Sequence, residues 1–354
     1  MSTTPSPQLT RRSALTAAVL TLGLGAAGCS TSSTSSSKGK GSKTVIRIAY
    51  QKFPSGDLIV KNQKWLEQAL PDHTIKWTKF ESGATINQAF IGNSIDIGAI
   101  GSSPVARGLS GASPIGYKVA FVLDVAGDNE ALVARNGTNI NSVADLRGKT
   151  IGTALASTAH YSLLVALEQA GLKASDVKIV DLQPQAILAA WERGDIDAAY
   201  TWLPTLDELR KTGKDLVTSR AIGESGNPTL DLGVVSNKLI ESDPEAVNAW
   251  RKVQARALEL IKSDPAAAAG FIAPELGISA DEALGQLKQG VYLTPESIAS
   301  PQWLGTPGSV GNLANNLLSA AEFLVEQKQI DKAPTLEQLQ QAIYVEGLPG
   351  AFAQ

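Results

Sequence analysis

The folded part of the chain opens on alternating patterns. Residues 45–50, "VIRIAY", are apolar but for one position and predict a strand, and 58–70 carries apolar residues at helical spacing. The pattern then repeats: strand-like over 74–80, helical over 84–91, strand-like over 95–100, helical over 104–109. A second round predicts strands over 150–154, 177–182 and 198–200 and helices over 161–170 and 186–193. After a last strand over 231–236 the remainder reads as helix, over 244–262, 265–273, 280–289 and 310–327. Strands alternating with helices of this length predict βαβ units, hence an α/β fold with parallel sheets covered on both faces.

The two rounds echo each other. "GNSIDIG" at 92–98 ends a helix, turns and starts a short strand, and "GDIDAA" at 194–199 does the same about 100 residues later. Pro104 and Pro204 then stand where a helix can begin. Any two βαβ units share some of this; the other reading is two related lobes facing a common cleft. The late strand over 231–236 suggests a chain that crosses twice, near 123–129 and near 223–230. That divides the folded part into one lobe of 45–125 and 228–354 and a second of 126–227.

The N-terminus carries a different pattern. Arg11-Arg12 precedes an apolar run from 14 to 27, shorter than the roughly 20 residues that span a bilayer and suited to a signal-peptide core. The run ends in small residues and Cys29, the only cysteine in the chain. A lone thiol has no disulfide to make within the chain, so Cys29 reads as the lipidation site of an exported lipoprotein, against a stray buried cysteine. Ala26 departs from the leucine usual in such a box. The Arg pair with Leu15 fits a twin-arginine leader and also a general export signal. Residues 1–28 are thus expected to be removed, and 29–44, rich in Ser, Thr, Gly and Lys, to form a lipid-anchored flexible tether. The expected location is the periplasm or the outer face of the cytoplasmic membrane.

Composition narrows the choice of function. The 354 residues are 43% hydrophobic, as in ordinary globular proteins, with 31 basic and 34 acidic side chains. Loss of 1–28 removes two basic residues and no acid, leaving a formal charge of −5. No basic or basic–aromatic stripe is present, which argues against nucleic acid. With two histidines and one cysteine no metal cluster can be drawn. No cofactor is expected.

Candidate chemistry gathers where strands give way to helices, the place where open α/β sheets bind ligands. "GSSP" at 101–104 offers free amides and the hydroxyls of Ser102 and Ser103, suited to an anion held without a cation. Simple capping ahead of Pro104 is the alternative. Ser157 and Thr158 form a similar start ahead of His160, and two such starts could clamp one tetrahedral oxyanion. His160 is a cleft or packing residue rather than a catalyst, since no Gly-x-Ser-x-Gly elbow accompanies it. Trp202 suits a cleft wall or the core. Asp231 suits a ligand's positive charge or a structural cap, and Glu130 a ligand contact or the hinge. Gln51 ends the first strand.

Four stretches, "KFESGATINQAFIGNSIDIGAIGSSPVARGLS", "STAHYSLLVALEQAGL", "IVDLQPQAILAAWERGDIDAAYTWLPTL" and "PTLDLGVV", resemble the sulfonate, nitrate and taurine group of solute-binding proteins of ATP-driven importers. The third points to the taurine branch, and the resemblance covers roughly residues 44–345. It implies a two-lobed periplasmic-binding-protein fold, the type II venus flytrap with a doubly crossed hinge. It also implies a monomer that takes taurine or a related small sulfonate to an ABC permease and its ATPase subunits. Gln51, Ser102, Ser103, Thr158, His160, Trp202 and Asp231 are the contacts it carries over. Ala159 replaces a common hydroxyl, and Leu232-Gly233 replaces an aromatic residue, which leaves ligand size open. Alternatives are a binder of other alkanesulfonates, nitrate or a phosphonate, or an enzyme on this fold, such as one for thiamine-pyrimidine synthesis. No catalytic residue is assigned.

Overall fold

The computed structural model describes residues 43–352. The expected leader, Cys29 and all but the end of the tether lie outside these residues. Ten strands form two five-stranded sheets. The first, in the order β2-β1-β3-β10-β4, uses β1 (Thr44–Gln51), β2 (His73–Phe80), β3 (Ile97–Gly101), β4 (Tyr117–Val125) and β10 (Leu230–Ser236). The second, β7-β6-β8-β5-β9, uses β5 (Glu130–Arg135), β6 (Thr150–Thr153), β7 (Lys178–Asp181), β8 (Ala198–Trp202) and β9 (Gly213–Thr218). Helices cover both sheets, so the α/β architecture is as expected.

The sheets are mixed rather than parallel, and the chain path explains why. β4 runs toward the edge of the first sheet that faces the second, and only four residues separate it from β5. So short a link cannot carry the chain to the far edge, as a parallel crossover requires. β5 therefore enters at the near edge and runs antiparallel to β8, while β10, returning after the helix Ser219–Glu224, runs antiparallel to β3. Each sheet thus has one return strand whose first residues lie at the edge facing the other sheet.

The echoed motifs have one structural job. The Asp96 carboxylate accepts the Arg47 N–H at 2.9 Å, and the Asp96 N–H donates to the Arg47 carbonyl at 2.8 Å. Asp197 and Thr150 make the same pair of bonds, at 2.9 and 2.8 Å. Each Asp pins the strand beside it, β1 in one sheet and β6 in the other. Two generic βαβ units would not need the same clamp at the same place.

The elements depart from the apolar pattern where other signals compete. Residues 58–70 form two helices, Gly56–Gln63 and Trp65–Ala69, broken at Lys64 with φ +52°. β5, "EALVAR", is made of helix formers. β9, "GKDLVT", is a short polar edge strand. β4, "YKVAFVLDV", is a legible apolar run, but it lies between the two rounds of alternation.

The first sheet anchors one large core, into which Phe121 and Trp250 pack edge to face at 5.9 Å. Gly233 of β10 lies under that indole, and a Cβ there would come within 2.3 Å of the Trp250 ring. The second sheet has a smaller core on each face, because alternate β5 residues (Leu132 and Ala134, then Ala131 and Val133) point to opposite sides. No helix among the described residues is long and apolar enough to cross a membrane.

Candidate functional site

A cavity of about 480 Å³ of empty space lies between the facing edges of the two sheets. Five of the sequence-predicted residues line it: Gln51, Glu130, Thr158, Trp202 and Asp231. Ser157, from the second hydroxyl-rich helix start, lines it as well, together with Phe53 and Asn129, which the sequence does not single out. Sheet edges supply the key groups. Asp231 pairs with Gly101, the last residue of β3, and Glu130 pairs with Trp202, the last residue of β8.

Helix starts supply the rest. Pro54, Gly83, Gly101 and Ser157 line the cavity at or beside the first residues of the helices Gly56–Gln63, Gly83–Ile91, Ser102–Gly108 and Thr158–Gln169. First-turn amides have no partner within their helix and carry partial positive charge, so this wall offers donors to an anion. No Lys or Arg is among the lining residues. Gly101 and Thr158 meet across the two halves: a Cβ on Gly101 would fall 2.6 Å from Thr158 Cγ2. Only glycine permits that approach.

Ser102, Ser103 and His160 do not line the cavity. The helix starts at Ser102 with Gly101 as its cap, so both serines lie inside the first turn and are buried. The Ser102 hydroxyl accepts the Leu230 N–H at 3.1 Å, joining β10 to this helix. His160 Nδ1 accepts the N–H of Ala156, a residue with φ +59°, at 3.3 Å and so steadies the tight turn before its helix. Burial and the nearby Arg107 lower its pKa to about 4, leaving a neutral imidazole. The two departures from the family pattern are equally remote. Ala159 and Leu232 are fully buried in the cores, so neither changes the cavity.

The carboxyls differ in their surroundings. Glu130 is buried and accepts hydrogen bonds from Thr158 Oγ1 at 2.6 Å and Ser219 Oγ at 2.7 Å. Burial still pushes it up to about 7, against the pull of those two hydroxyls. Asp231 is half-buried, opens onto the cavity and is raised to about 6 by burial. Two further acids surround it that the sequence reading passes over. Asp57, bonded by the Gln254 amide, is raised to about 7 by burial. Asp124, opposite Asp231 on β4, is held well above the usual carboxylate range by burial and by Asp231. The signal for Asp124 is its place as the one acid in the apolar run of β4. A pocket walled by amide donors and flanked by four unneutralised carboxyls suits a small molecule carrying both signs of charge.

Comparison with known proteins gives the family. The taurine-binding periplasmic protein of Escherichia coli (strain K12) is 38% identical over 263 residues, 73% of this chain and 79% of that one. The chain belongs to the family of sulfonate- and taurine-binding solute-binding proteins. A family model described as NMT1/THI5 like matches residues 109–268. The family's fold is shared with the alkanesulfonate-binding protein SsuA from Xanthomonas axonopodis pv. citri bound to MOPS. That structure superposes with a TM-score of 0.69 at 22% identity, over 85% of this chain and 98% of that one. A mutant of the desulfurization enzyme DSZB in complex with biphenyl-2-sulfinic acid has a TM-score of 0.62 at 18% identity, covering 87% and 99%. Membership in the family therefore fixes the venus-flytrap fold, whereas the fold alone also carries an enzyme.

Proposed function

We propose that the protein is an exported, lipid-anchored binder of taurine, which it encloses between its two halves and hands to the permease of an ABC importer. In this reading the sulfonate sits against the helix starts at Gly101, Ser157 and Thr158. A sulfonate stays ionised throughout the physiological range, so neutral donors suffice and the sulfonate itself exchanges no proton. Trp202 and Phe53 cover the two-carbon spacer, and Asp231 takes the ammonium. Lipidation at Cys29 would hold the protein at the membrane surface, where ATP hydrolysis in a partner subunit drives unloading. Binding involves no catalysis.

The observation that carries this reading is the unneutralised Asp231 facing a wall of amide donors. A plain alkanesulfonate, nitrate or a phosphonate would satisfy the donors and leave the acid without a partner. Calorimetric titration with taurine, ethanesulfonate, nitrate and methylphosphonate tests it. Taurine is expected to bind most tightly, and a panel in which nitrate or methylphosphonate binds more tightly than taurine would refute the assignment.

A further inference from the structure

Asp124 has no place in the reading so far, yet its setting is unusual. It is 1% exposed, and among the described residues Asp231 alone stands within hydrogen-bonding reach of its carboxyl oxygens, neither of which makes a well-formed bond. An unpaired carboxylate at such depth costs several kcal/mol, and proteins avoid that by pairing the group or protonating it. Its direct cross-strand partner is Asp231, whose carboxyl opens onto the cavity. Residues opposite one another on antiparallel strands project from the same face with Cβ atoms about 5 Å apart. Two desolvated carboxyls at that spacing cannot both stay ionised without a cation between them.

The other ionisable groups near the pair supply no positive charge. Glu130 reaches it from β5 and Asp57 from the helix Gly56–Gln63. Tyr292 lies on the segment packed against β4 and donates its hydroxyl to the Pro54 carbonyl at 3.0 Å. No group of His, Cys, Asp and Glu among the described residues could hold a metal ion.

We propose that Asp124 and Asp231 together form the cation subsite of the cleft: they share one proton when it is empty, and the ligand's ammonium displaces that proton. This rests on the reading of the ligand as a zwitterion and deepens it, making Asp124 a specificity-determining residue behind the one that lines the cavity. The step balances simply. The ammonium arrives with its own three protons, the shared carboxyl proton leaves to solvent, and no bond other than that O–H is broken. Below the pair's own titration range, ligand and proton compete, so affinity should fall toward tenfold per pH unit. Above that range the dependence should vanish.

Calorimetry of taurine binding in two buffers of different ionisation enthalpy, phosphate and bis-Tris, counts the protons released. Near pH 6 the wild type should release close to one per taurine, falling as the pH rises toward 7.5, where the ligand's amine still keeps its proton, and Asp124→Asn should release less than half as much at pH 6. Equal counts for the two proteins would overturn the proposal. The ligand-free protein gives a separate arm. Infrared difference spectra between pH 5 and 8 should show a protonated carboxyl still present at pH 6. Asp124→Asn should lower that band by about one carboxyl, leaving the share of Glu130 and Asp57, and if that variant does not fold, Asp231→Asn should do the same, since the new amide can donate to the remaining carboxylate. A band that neither Asp124→Asn nor Asp231→Asn lowers would overturn the shared proton whatever the ligand. Taurine failing to bind while the band is present would refute the taurine reading and leave the carboxyl pair standing.

Discussion

In the first sheet the return strand β10 starts beside the end of β3, with Asp231 opposite Gly101; in the second, β5 starts beside the end of β8, with Glu130 opposite Trp202. The topology is the same and so is the placing of an acid at the cleft edge. The chemistry is not. Glu130 receives two hydroxyl hydrogen bonds from its own half of the protein, through Thr158 and Ser219. Asp231 has other carboxyls for neighbours and opens onto the cavity. The strand ends opposite them differ as well, the smallest residue against the largest. One half of the cleft is internally satisfied and supplies shape, while the other is left needing a cation. Likeness of form, visible in the matching Asp96 and Asp197 clamps, does not imply shared roles at equivalent positions.

The largest expected effect comes from the Gly101 side of this comparison. In Gly101→Ala the new methyl would meet Thr158 Cγ2 at 2.6 Å and hold the two halves apart. Taurine affinity should drop about 100-fold, roughly 2.7 kcal/mol, with little change in the ligand-free melting temperature. Unchanged affinity would mean that closure does not bring these residues together.

The Glu130 side should behave as a stability site. Glu130→Ala leaves the buried Ser219 hydroxyl and the half-buried Thr158 hydroxyl without their acceptor and should cost about 2–3 kcal/mol in denaturant unfolding. Glu130→Gln, which keeps an acceptor oxygen, should cost about 1 kcal/mol or less. If Glu130→Gln instead abolished the preference for taurine while leaving stability alone, the roles of the two acids would be reversed.

Much of this is legible in the sequence, for reasons that differ by residue. The central strands and their helices carry strong period signals, and Gln51, Thr158, Trp202, Glu130 and Asp231 stand at strand ends or helix starts, where position alone suggests the cleft. What position cannot tell is which way a hydroxyl is already engaged. Ser102 reads as a ligand donor until its oxygen is seen accepting the Leu230 N–H. Asp124 escapes notice because its partner lies more than a hundred residues away across an antiparallel pair, and spacing along the chain holds no trace of that contact. The return strands are hidden for the same reason: β5 is written in helix-forming residues and owes its conformation to its neighbours.

A smaller effect should follow from the excess of acids around the cleft. Asp57 and Glu130 are raised to about 7 and Asp231 to about 6, against about 4 for such groups in the unfolded chain. The folded state therefore holds protons that the unfolded state has lost between about pH 4 and 7. Their contribution to stability is complete at the low end of that window and disappears as pH rises through it. The ligand-free protein should melt about 2–5 °C higher at pH 5 than at pH 8. Saturating taurine should reduce that difference. A melting temperature that rises from pH 5 to pH 8 would show the carboxyls to be neutralised by something other than protons.

The most direct test of the central claim, that the cleft selects a molecule with both charges through Asp231, is the ratio of taurine to ethanesulfonate affinity in the wild type and in Asp231→Asn. The two ligands share the sulfonate and the two-carbon spacer and differ in the amine. The wild type should prefer taurine by at least about tenfold, on the order of 1.4 kcal/mol, because ethanesulfonate leaves the acid desolvated and unpaired. Asp231→Asn should bring the ratio close to one, mainly by weakening taurine. A wild-type ratio near one, or a ratio that Asp231→Asn leaves unchanged, would contradict the account.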